Sequence, residues 1–491
     1  MDPTDETGLC TALCTSADGS GPMDQLGTSS IHAIKARRRY GRYPGRVSSS
    51  RRWSGSLTLR TAQRDTTLNR AFSTPSDPTD RPMDSPRGSP GEPAAQGDER
   101  DTFLFTLAWD LGAIGGVSQV VRALMEQMAA SGPMRPLLAV NSWADVAPRR
   151  ERADGLDRAF LRVRSPMRRS GLSLAGALRY LAVLPGHLRA IRAFTRQERV
   201  RVVNAHFPSL DLLTWFLARS FGGPAYTIVI SLHGLEIRST FGRSGPTRWL
   251  WSRMLRKADH VIACSDGLRD EVTREYQLPV GTVTTIHNGI DVERITAALA
   301  VSPPQTPPPA PRPRPYLCSV GTFEHKKAHD VLLRAFQLIA EQEDTLDLVM
   351  IGRAGETSAS TRALVDELGL AERVRMIENL PHPQTLALMD ACEAFVLASR
   401  VESFAIVLLE AGALAKPVVA TDICGVGELI EDGVNGALVP AEDPEALAAR
   451  VLELMAATEP RESLGRALRA HVAEHFRWSA AAAQYLALAH R

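Results

Sequence analysis

Residues 398–436 read ASRVESFAIVLLEAGALAKPVVATDICGVGELIEDGVNG. The run AFVLAS (394–399) leading into them has strand character. Glu402 therefore falls just beyond the carboxyl end of a strand, where ligands bind in open parallel sheets. Ser403 is placed to cap a helix beginning near Phe404, whose free N–H groups and dipole suit a phosphate. Glu410 lies seven residues past that cap, about 10 Å further along a helix at roughly 1.5 Å per residue. Its neighbours in AIVLLEAGAL are apolar, and an unpaired charge among them would be costly. Two carboxylates flanking a helix N-terminus suit a ligand with hydroxyls at both ends and a diphosphate between, as in a nucleotide-sugar.

The same alternation extends on both sides. PVVATD (417–422) and GALVP (436–440) follow as short strands. YLCSVGT (316–322), a helix around DVLLRAFQLIAEQ (330–342), LDLVMIG (346–352) and RVRMIE (373–378) precede. An earlier set comprises TFLFTLAWD (102–110), the helical VSQVVRALMEQM (117–128), PLLAVNS (136–142), RVVNAH (201–206), YTIVISLHG (226–234) and HVIACS (260–265). Strands alternating with helices at this spacing define βαβ units and parallel sheets. Between the two sets, VSPPQTPPPAPRPRP (301–315) is too rich in proline for helix or central strand. The predicted organisation is a tail at 1–100, an α/β domain at 101–299, a Pro-rich linker at 300–315 and a second α/β domain at 316–470. A C-terminal helix at 471–491 packs back toward the first domain. Two such domains facing each other leave a cleft suited to a ligand.

Residues 1–100 are rich in Ser, Thr, Pro, Gly, Asp and Arg, and are expected to be disordered because they cannot bury enough surface to offset ordering entropy. Within them IHAIKARRRYGRYPGRVSSSRR (31–52) is basic without an acid and reads as a solvated tail; Met23 and Met83 offer later starts. No apolar stretch of signal type opens the chain, and no apolar run reaches the roughly 18 residues needed to span a bilayer. Across 491 residues, Lys+Arg 57 against Asp+Glu 55 leaves +2, which argues against wrapping nucleic acid. Aromatic residues at 6% disfavour base-stacking platforms. Six cysteines, Cys10 and Cys14 among them, show no metal-ligand spacing and are expected as free thiols in a reducing cytosol.

E-x7-E at Glu402 and Glu410, followed by KPVVATD, Gly425, Glu428 and GVNG (433–436), resembles the retaining family-4 glycosyltransferases. The resemblance covers residue 102 to about 480. It implies the GT-B fold, an α/β architecture of two Rossmann-like parallel-sheet domains facing across a cleft. It also implies that Glu402 approaches the transferred sugar, that Glu410 binds the ribose, and that Phe404, Ala405 and Ile406 lie along the diphosphate and sugar. The family often has Gly where this chain has Ala405.

A second motif is SVGTFEHKKAHDVLLRAF (319–336). Gly321 follows a strand, and Lys327 stands before the next helix, where its ammonium can meet phosphate as a point charge. In the family a Gly-Arg pair precedes this Lys by five residues, both cations neutralising the leaving diphosphate. Thr322 occupies the Arg position here, so one charge is missing, and Lys326 and Arg353 are the candidates to replace it. His233, at the end of a strand in ISLHGLEIR, faces the presumed cleft, and the matching family His contacts the donor sugar or its diphosphate. His206 in VVNAHFPS matches a second family position, on the acceptor side. Gly115 and Gly116 open a helix without the GxGxxG fingerprint, and the matching family loop lies near donor phosphates and acceptor. Residues 149–201 carry 14 Arg against four acids. LSLAGALRYLAVLPGHLRAIRAF (172–194) interleaves these with apolar residues, as an interfacial helix would, although Pro185 should break or kink it.

The implied reaction transfers a sugar from a nucleotide-diphosphate donor to a saccharide or lipid-linked acceptor hydroxyl with retention. It needs no metal and no cofactor, because cations and a helix N-terminus hold the diphosphate. The expected setting is cytoplasmic, with peripheral contact to anionic membrane and no nucleic acid partner. A sugar phosphorylase, a nucleotide-sugar epimerase or a non-catalytic nucleotide-sugar-binding protein are the alternatives.

Overall fold

Thr102–Leu107 (β1) shows how the chain builds its sheets. Phe103, Leu104 and Phe105 are all fully buried, yet successive side chains leave opposite faces of a strand. Phe103 and Phe105 join one apolar cluster and Leu104 another, so this strand is covered on both sides. Asp347–Gly352 (β10) repeats the pattern, with Leu348 and Met350 in one cluster and Val349 and Ile351 in another. Continuous apolar runs, rather than alternating ones, follow from a sheet with helices on both faces.

A computed structural model describes residues 99–111, 115–142, 148–163, 174–220, 222–234, 245–301 and 314–490. Residues 1–98 of the expected disordered tail, Gly112 and most of the proline-rich linker lie outside the described residues, as do 164–173 of the basic segment. The described residues fall in one compact unit. The strands after β1 are β2 (Arg135–Asn141), β3 (Arg149–Ala153), β4 (Leu156–Leu161), β5 (Val200–His206), β6 (Thr227–Leu232), β7 (His260–Ala263) and β8 (Val283–Thr285). They form an eight-stranded sheet in the order β3-β4-β2-β1-β5-β6-β7-β8, parallel except for the β3–β4 hairpin. β9 (Tyr316–Val320), β10, β11 (Val374–Glu378), β12 (Ala394–Leu397), β13 (Val418–Thr421) and β14 (Ala437–Val439) form a parallel six-stranded sheet, β11-β10-β9-β12-β13-β14.

Among the described residues the helices are α1 (Gly116–Ser131), α2 (Leu174–Gln197), α3 (Leu212–Arg219), α4 (Gly245–Lys257), α5 (Asp266–Glu275), α6 (Val292–Val301) and α7 (His329–Ala340). α8 (Ser358–Glu367), α9 (His382–Asp390), α10 (Ile406–Ala413), α11 (Pro444–Met455), α12 (Thr458–His475) and α13 (Trp478–Ala487) complete the set. In each sheet the chain runs outward from the first strand, then returns to its other side, so strand order reverses at β1/β5 and at β9/β12. Those reversals open the crevices where α/β sheets take ligands. α13 leaves the second domain and packs on α1, placing Trp478, Ala481 and Tyr485 in the cluster that contains Phe103 and Phe105. The fold is GT-B.

Two features depart from the sequence expectations. Residues 149–161, read only as part of a basic stretch, are the β3–β4 hairpin, turned by Asp154 and Gly155 at φ 54° and 74°. Positive φ at both positions matches the twist of a tight hairpin. α2 continues through Pro185 instead of ending there. The proline displaces the hydrogen bond to Leu181, whose residue is exposed, so water can take the freed carbonyl. Much of the positive charge here is structural: Arg158 pairs with Asp110 at 3.0 Å, Arg150 pairs with the buried Glu198, and Arg192 donates to the Ala218 and Ser220 carbonyls.

Candidate active site

The loops after β1, β6, β9 and β12 converge on one cleft of about 600 Å³ between the two sheets. From the first domain it is lined by Gly115, Gly116 and His233. From the second come Gly321, Thr322, Lys327, Glu402, Phe404, Ala405, Ile406 and Glu410. Lys326 and Arg353 reach it as well.

Glu402 lies past the end of β12, where Lys327 Nζ meets its Oε1 at 2.6 Å and Ser399 Oγ donates to the same oxygen at 2.8 Å. Lys327 gets there through a 3-10 turn, His325–Lys327, pinned from outside by Arg400. That guanidinium donates to the His325 carbonyl at 2.8 Å and binds Asp330 through two hydrogen bonds, with Glu442 on its far side. These carboxylates raise the Arg400 pKa, chiefly through the Asp330 hydrogen bond. Gly321 makes room for the lysine stem, since a β-carbon there would sit 3.1 Å from Lys327 Cδ. Where an Arg could stand, Thr322 lines the cleft. Lys326 and Arg353 both turn to Glu324, at 2.7 and 3.7 Å.

α10 begins at Ile406 with Ala405 at its cap position and no side-chain cap. The expectation that Ser403 caps a helix from Phe404 is therefore corrected. Residues 404–406 form a tight turn in which the Ile406 N–H bonds the Phe404 carbonyl, and Phe404 is buried beside His287 and Phe476. Ile406 and Leu408 N–H are taken by the Phe404 and Ala405 carbonyls, which leaves the Val407 N–H of this uncapped turn for an anion. Glu410, one turn on, is buried and answers its desolvation by pairing with His382 Nε2 at 2.7 Å. Burial would lower the His382 pKa, but the adjoining carboxylate reverses this and holds it above the ordinary value.

His233 lines the cleft from the end of β6, and burial pushes its pKa down to about 4, so it is neutral at physiological pH. His206 does not line the cleft. It is fully buried behind His233, with Nδ1 3.0 Å from His233 Nε2. The two rings stack with centroids 5.2 Å apart.

The domains meet closely around the site. Gly234, at φ 103°, abuts Ser403 so tightly that a β-carbon would overlap its hydroxyl. Glu428 crosses from the second domain to cap α5 of the first, accepting from the Asp266 and Gly267 N–H groups and from His287 Nε2, each at 2.9 Å. Burial would raise the Glu428 pKa, but His287 and the two backbone donors bring it below the usual value. Among the described residues, Asp266, His287 and Glu428 are the one group with carboxylate and imidazole atoms close enough to share a metal ion. Their hydrogen bonds already account for the closeness: Asp266 Oδ1 also accepts from Arg269 and from Thr285 Oγ1.

Sequence reasoning named neither His382 nor Ser399, nor the Arg400 brace. His382 touches Glu410 across 28 positions, Ser399 touches Glu402 across 3, and Arg400 reaches the His325 carbonyl beside Lys326 across 75; only the Ser399 spacing was local enough to suggest a contact.

Two facing Rossmann-like domains with a cleft lined from the ends of β1, β6, β9 and β12 define a GT-B transferase architecture. Family models described as Glycosyltransferase Family 4 and Glycosyl transferases group 1 match residues 114–294 and 306–471. The chain belongs to this glycosyltransferase family. It is 29% identical over 325 residues to D-inositol 3-phosphate glycosyltransferase 2 of Catenulispora acidiphila, covering 61% of this chain and 74% of that protein. Sucrose-phosphate synthase from Thermosynechococcus elongatus shares the fold with a TM-score of 0.61 at 22% identity, over 79% of this chain and 97% of that one. The Anabaena protein HepE, solved with UDP-glucose, superposes with a TM-score of 0.57 at 18% identity, over 79% and 98%.

Proposed function

We propose that this glycosyltransferase moves a sugar from a nucleotide-diphosphate donor to an acceptor hydroxyl with retention of anomeric configuration. The observation that carries the reading is the Lys327–Glu402 pair, set at the mouth of an uncapped helix with Glu410 buried one turn beyond. That spacing suits, in order, a sugar, a diphosphate and a ribose. Lys327 leaves Glu402 for the β-phosphate as the donor enters, and Glu402 is freed to hold sugar hydroxyls. The bond from the anomeric carbon to the phosphate oxygen breaks as charge builds on the phosphate. Lys327 and the Val407 N–H at the start of α10 stabilise that charge electrostatically. The acceptor oxygen bonds to the same face of the anomeric carbon, and the departing phosphate takes the acceptor proton. Glu402 positions the sugar and is not the base. Lys326 and Arg353 replace the family Arg missing at Thr322, released from Glu324 by the diphosphate. Cations and backbone donors do this work without a metal or cofactor.

The acceptor in this reading is a saccharide or lipid-linked hydroxyl, in cell-envelope or extracellular polysaccharide or glycolipid synthesis on the cytoplasmic side. Its support is the outer face of α2, where Leu178 and Leu181 are each 58% exposed beside Arg179 and Arg189, a composition suited to an anionic lipid surface. No helix among the described residues is long and apolar enough to cross a membrane. A thermal-shift panel of UDP-, GDP- and ADP-sugars tests donor binding. One nucleotide class should raise Tm strongly, because a ligand that binds only the folded state stabilises it by mass action. No shift with any of them would overturn the reading.

A further inference from the structure

A line of buried polar groups runs from the C-terminal helix to the cleft. Tyr485 of α13 is buried, and its hydroxyl lies 3.2 Å from Ser231 Oγ on β6. Ser231 Oγ donates to Asn204 Oδ1 at 2.8 Å, Asn204 Nδ2 is 3.0 Å from His206 Nε2, and His206 Nδ1 is 3.0 Å from His233 Nε2. Ser231, Asn204 and His206 are at most 1% exposed.

The direction of the line follows from its far end. A buried phenol hydrogen must find an acceptor, and Ser231 Oγ is the partner at hand. Ser231 then passes its own hydrogen to Asn204 Oδ1, which leaves the Asn204 amide as donor to His206 Nε2. A neutral imidazole that accepts at one nitrogen donates at the other, so His206 Nδ1–H points at His233 Nε2. His233 must accept there and keep its proton on Nδ1. Burial favours the neutral form of both rings, which preserves the order of donors.

We infer that Tyr485, Ser231, Asn204 and His206 are positioning residues that fix the tautomer of His233, so that it meets the donor substrate as a neutral Nδ1–H donor. The inference rests on the reading of the cleft as the donor site. It adds a role for the end of the chain: α13 braces the first domain and also sets the polarity of a group in the cleft.

The test is reversal of the line. Asn204→Asp nearly preserves shape but only accepts, so it draws a proton onto His206 Nε2 and turns His206 Nδ1 into an acceptor. Nitrogen-15 NMR of the full-length protein, with His233 assigned by substitution, should show protonated Nδ1 in the native chain and protonated Nε2 in Asn204→Asp. kcat should fall about tenfold or more, the scale of one misdirected hydrogen bond, with donor KM changed less than twofold. Tyr485→Phe, which keeps the ring, should leave Tm close to native while mixing the two tautomers. Native His233 protonated on Nε2, or the same tautomer in the native and Asn204→Asp proteins, would overturn the inference. The NMR result needs no donor, so it separates failure of this inference from failure of the assigned activity. If Asn204→Asp does not fold, Tyr485→Phe carries the test: an unmixed tautomer there contradicts the inference.

Discussion

Glu402 and Glu410 sit on the same short turn-and-helix, yet their surroundings differ. Glu402 shares one oxygen with a lysine and a serine at the mouth of the cleft, whereas Glu410 is buried and faces a histidine. With Glu410 on the ribose, as proposed above, Glu410→Gln should chiefly raise donor KM, because charge-assisted bonds to hydroxyls, worth roughly 1.5–3 kcal/mol, differ little between ground and transition states. Glu402→Gln touches the group whose geometry changes, so kcat should fall while affinity for the product nucleotide stays near normal. Steady-state kinetics with product inhibition distinguish the two. Away from the cleft, His329 is buried against Phe323, and burial lowers its pKa to about 4, as for His233. Below the ordinary histidine value of 6.5 the unfolded chain binds protons that these folded rings refuse. Stability is therefore full above about 6.5 and is lost as pH falls toward 4, by on the order of 3 kcal/mol for each ring. Denaturation midpoints between pH 7 and 4.5 should show this, with a shallower slope in His329→Phe; an equal slope would contradict it. The sequence made the carboxylate pair and Lys327 visible because strand ends and apolar neighbours single them out. His382 was invisible because its meaning is a contact with Glu410 made only by folding, and His206 lies behind His233 because the last residue of a strand can face inward as readily as toward a cleft.

At the scale of elements, continuous apolar runs were enough to place the central strands of both sheets, since strands covered on two faces need little else. Edge structure was harder. Asp154-Gly155 is a strong hairpin signal, but RRERA is dominated by charge and Asp157 and Arg158 interrupt LDRAFL, and Arg158 and Arg150 find Asp110 and Glu198 only in the fold. α2 survives Pro185 because the turn that loses a hydrogen bond faces water. That exposed turn also carries Leu178 and Leu181, and it sets an expectation about membranes. The full-length protein should sediment with anionic vesicles and less with neutral ones, and binding should weaken as salt rises. Leu181→Asp should reduce binding severalfold without changing Tm, since Leu181 is mostly exposed. Equal recovery on anionic and neutral vesicles would remove α2 as the contact.

For the whole molecule, the question is what holds two sheets at the spacing the cleft needs. One apolar cluster passes through both domains, taking in Leu232 and Leu268 from the first and Phe404 and Leu408 from the second. Glu428 adds a polar clasp by capping α5 across the divide. Glu428→Gln should weaken that clasp by about 1.5–3 kcal/mol, the scale of a charged hydrogen bond. A larger radius of gyration in solution scattering, with a raised donor KM, would register it; an unchanged radius and KM would show that the apolar seam suffices alone. None of this seam was readable from periodicity, which reports the face a strand buries but not the domain it is buried against. The proposed reaction stands or falls with the bond that breaks in the cleft. The most direct measurement is proton and phosphorus NMR of the full-length protein with the stabilising nucleotide-sugar and a saccharide acceptor. The account predicts release of nucleoside diphosphate in step with a product whose anomeric configuration matches the donor, and loss of both signals in Glu402→Gln. An inverted product, or turnover that consumes free phosphate or epimerises the donor without acceptor, would contradict it.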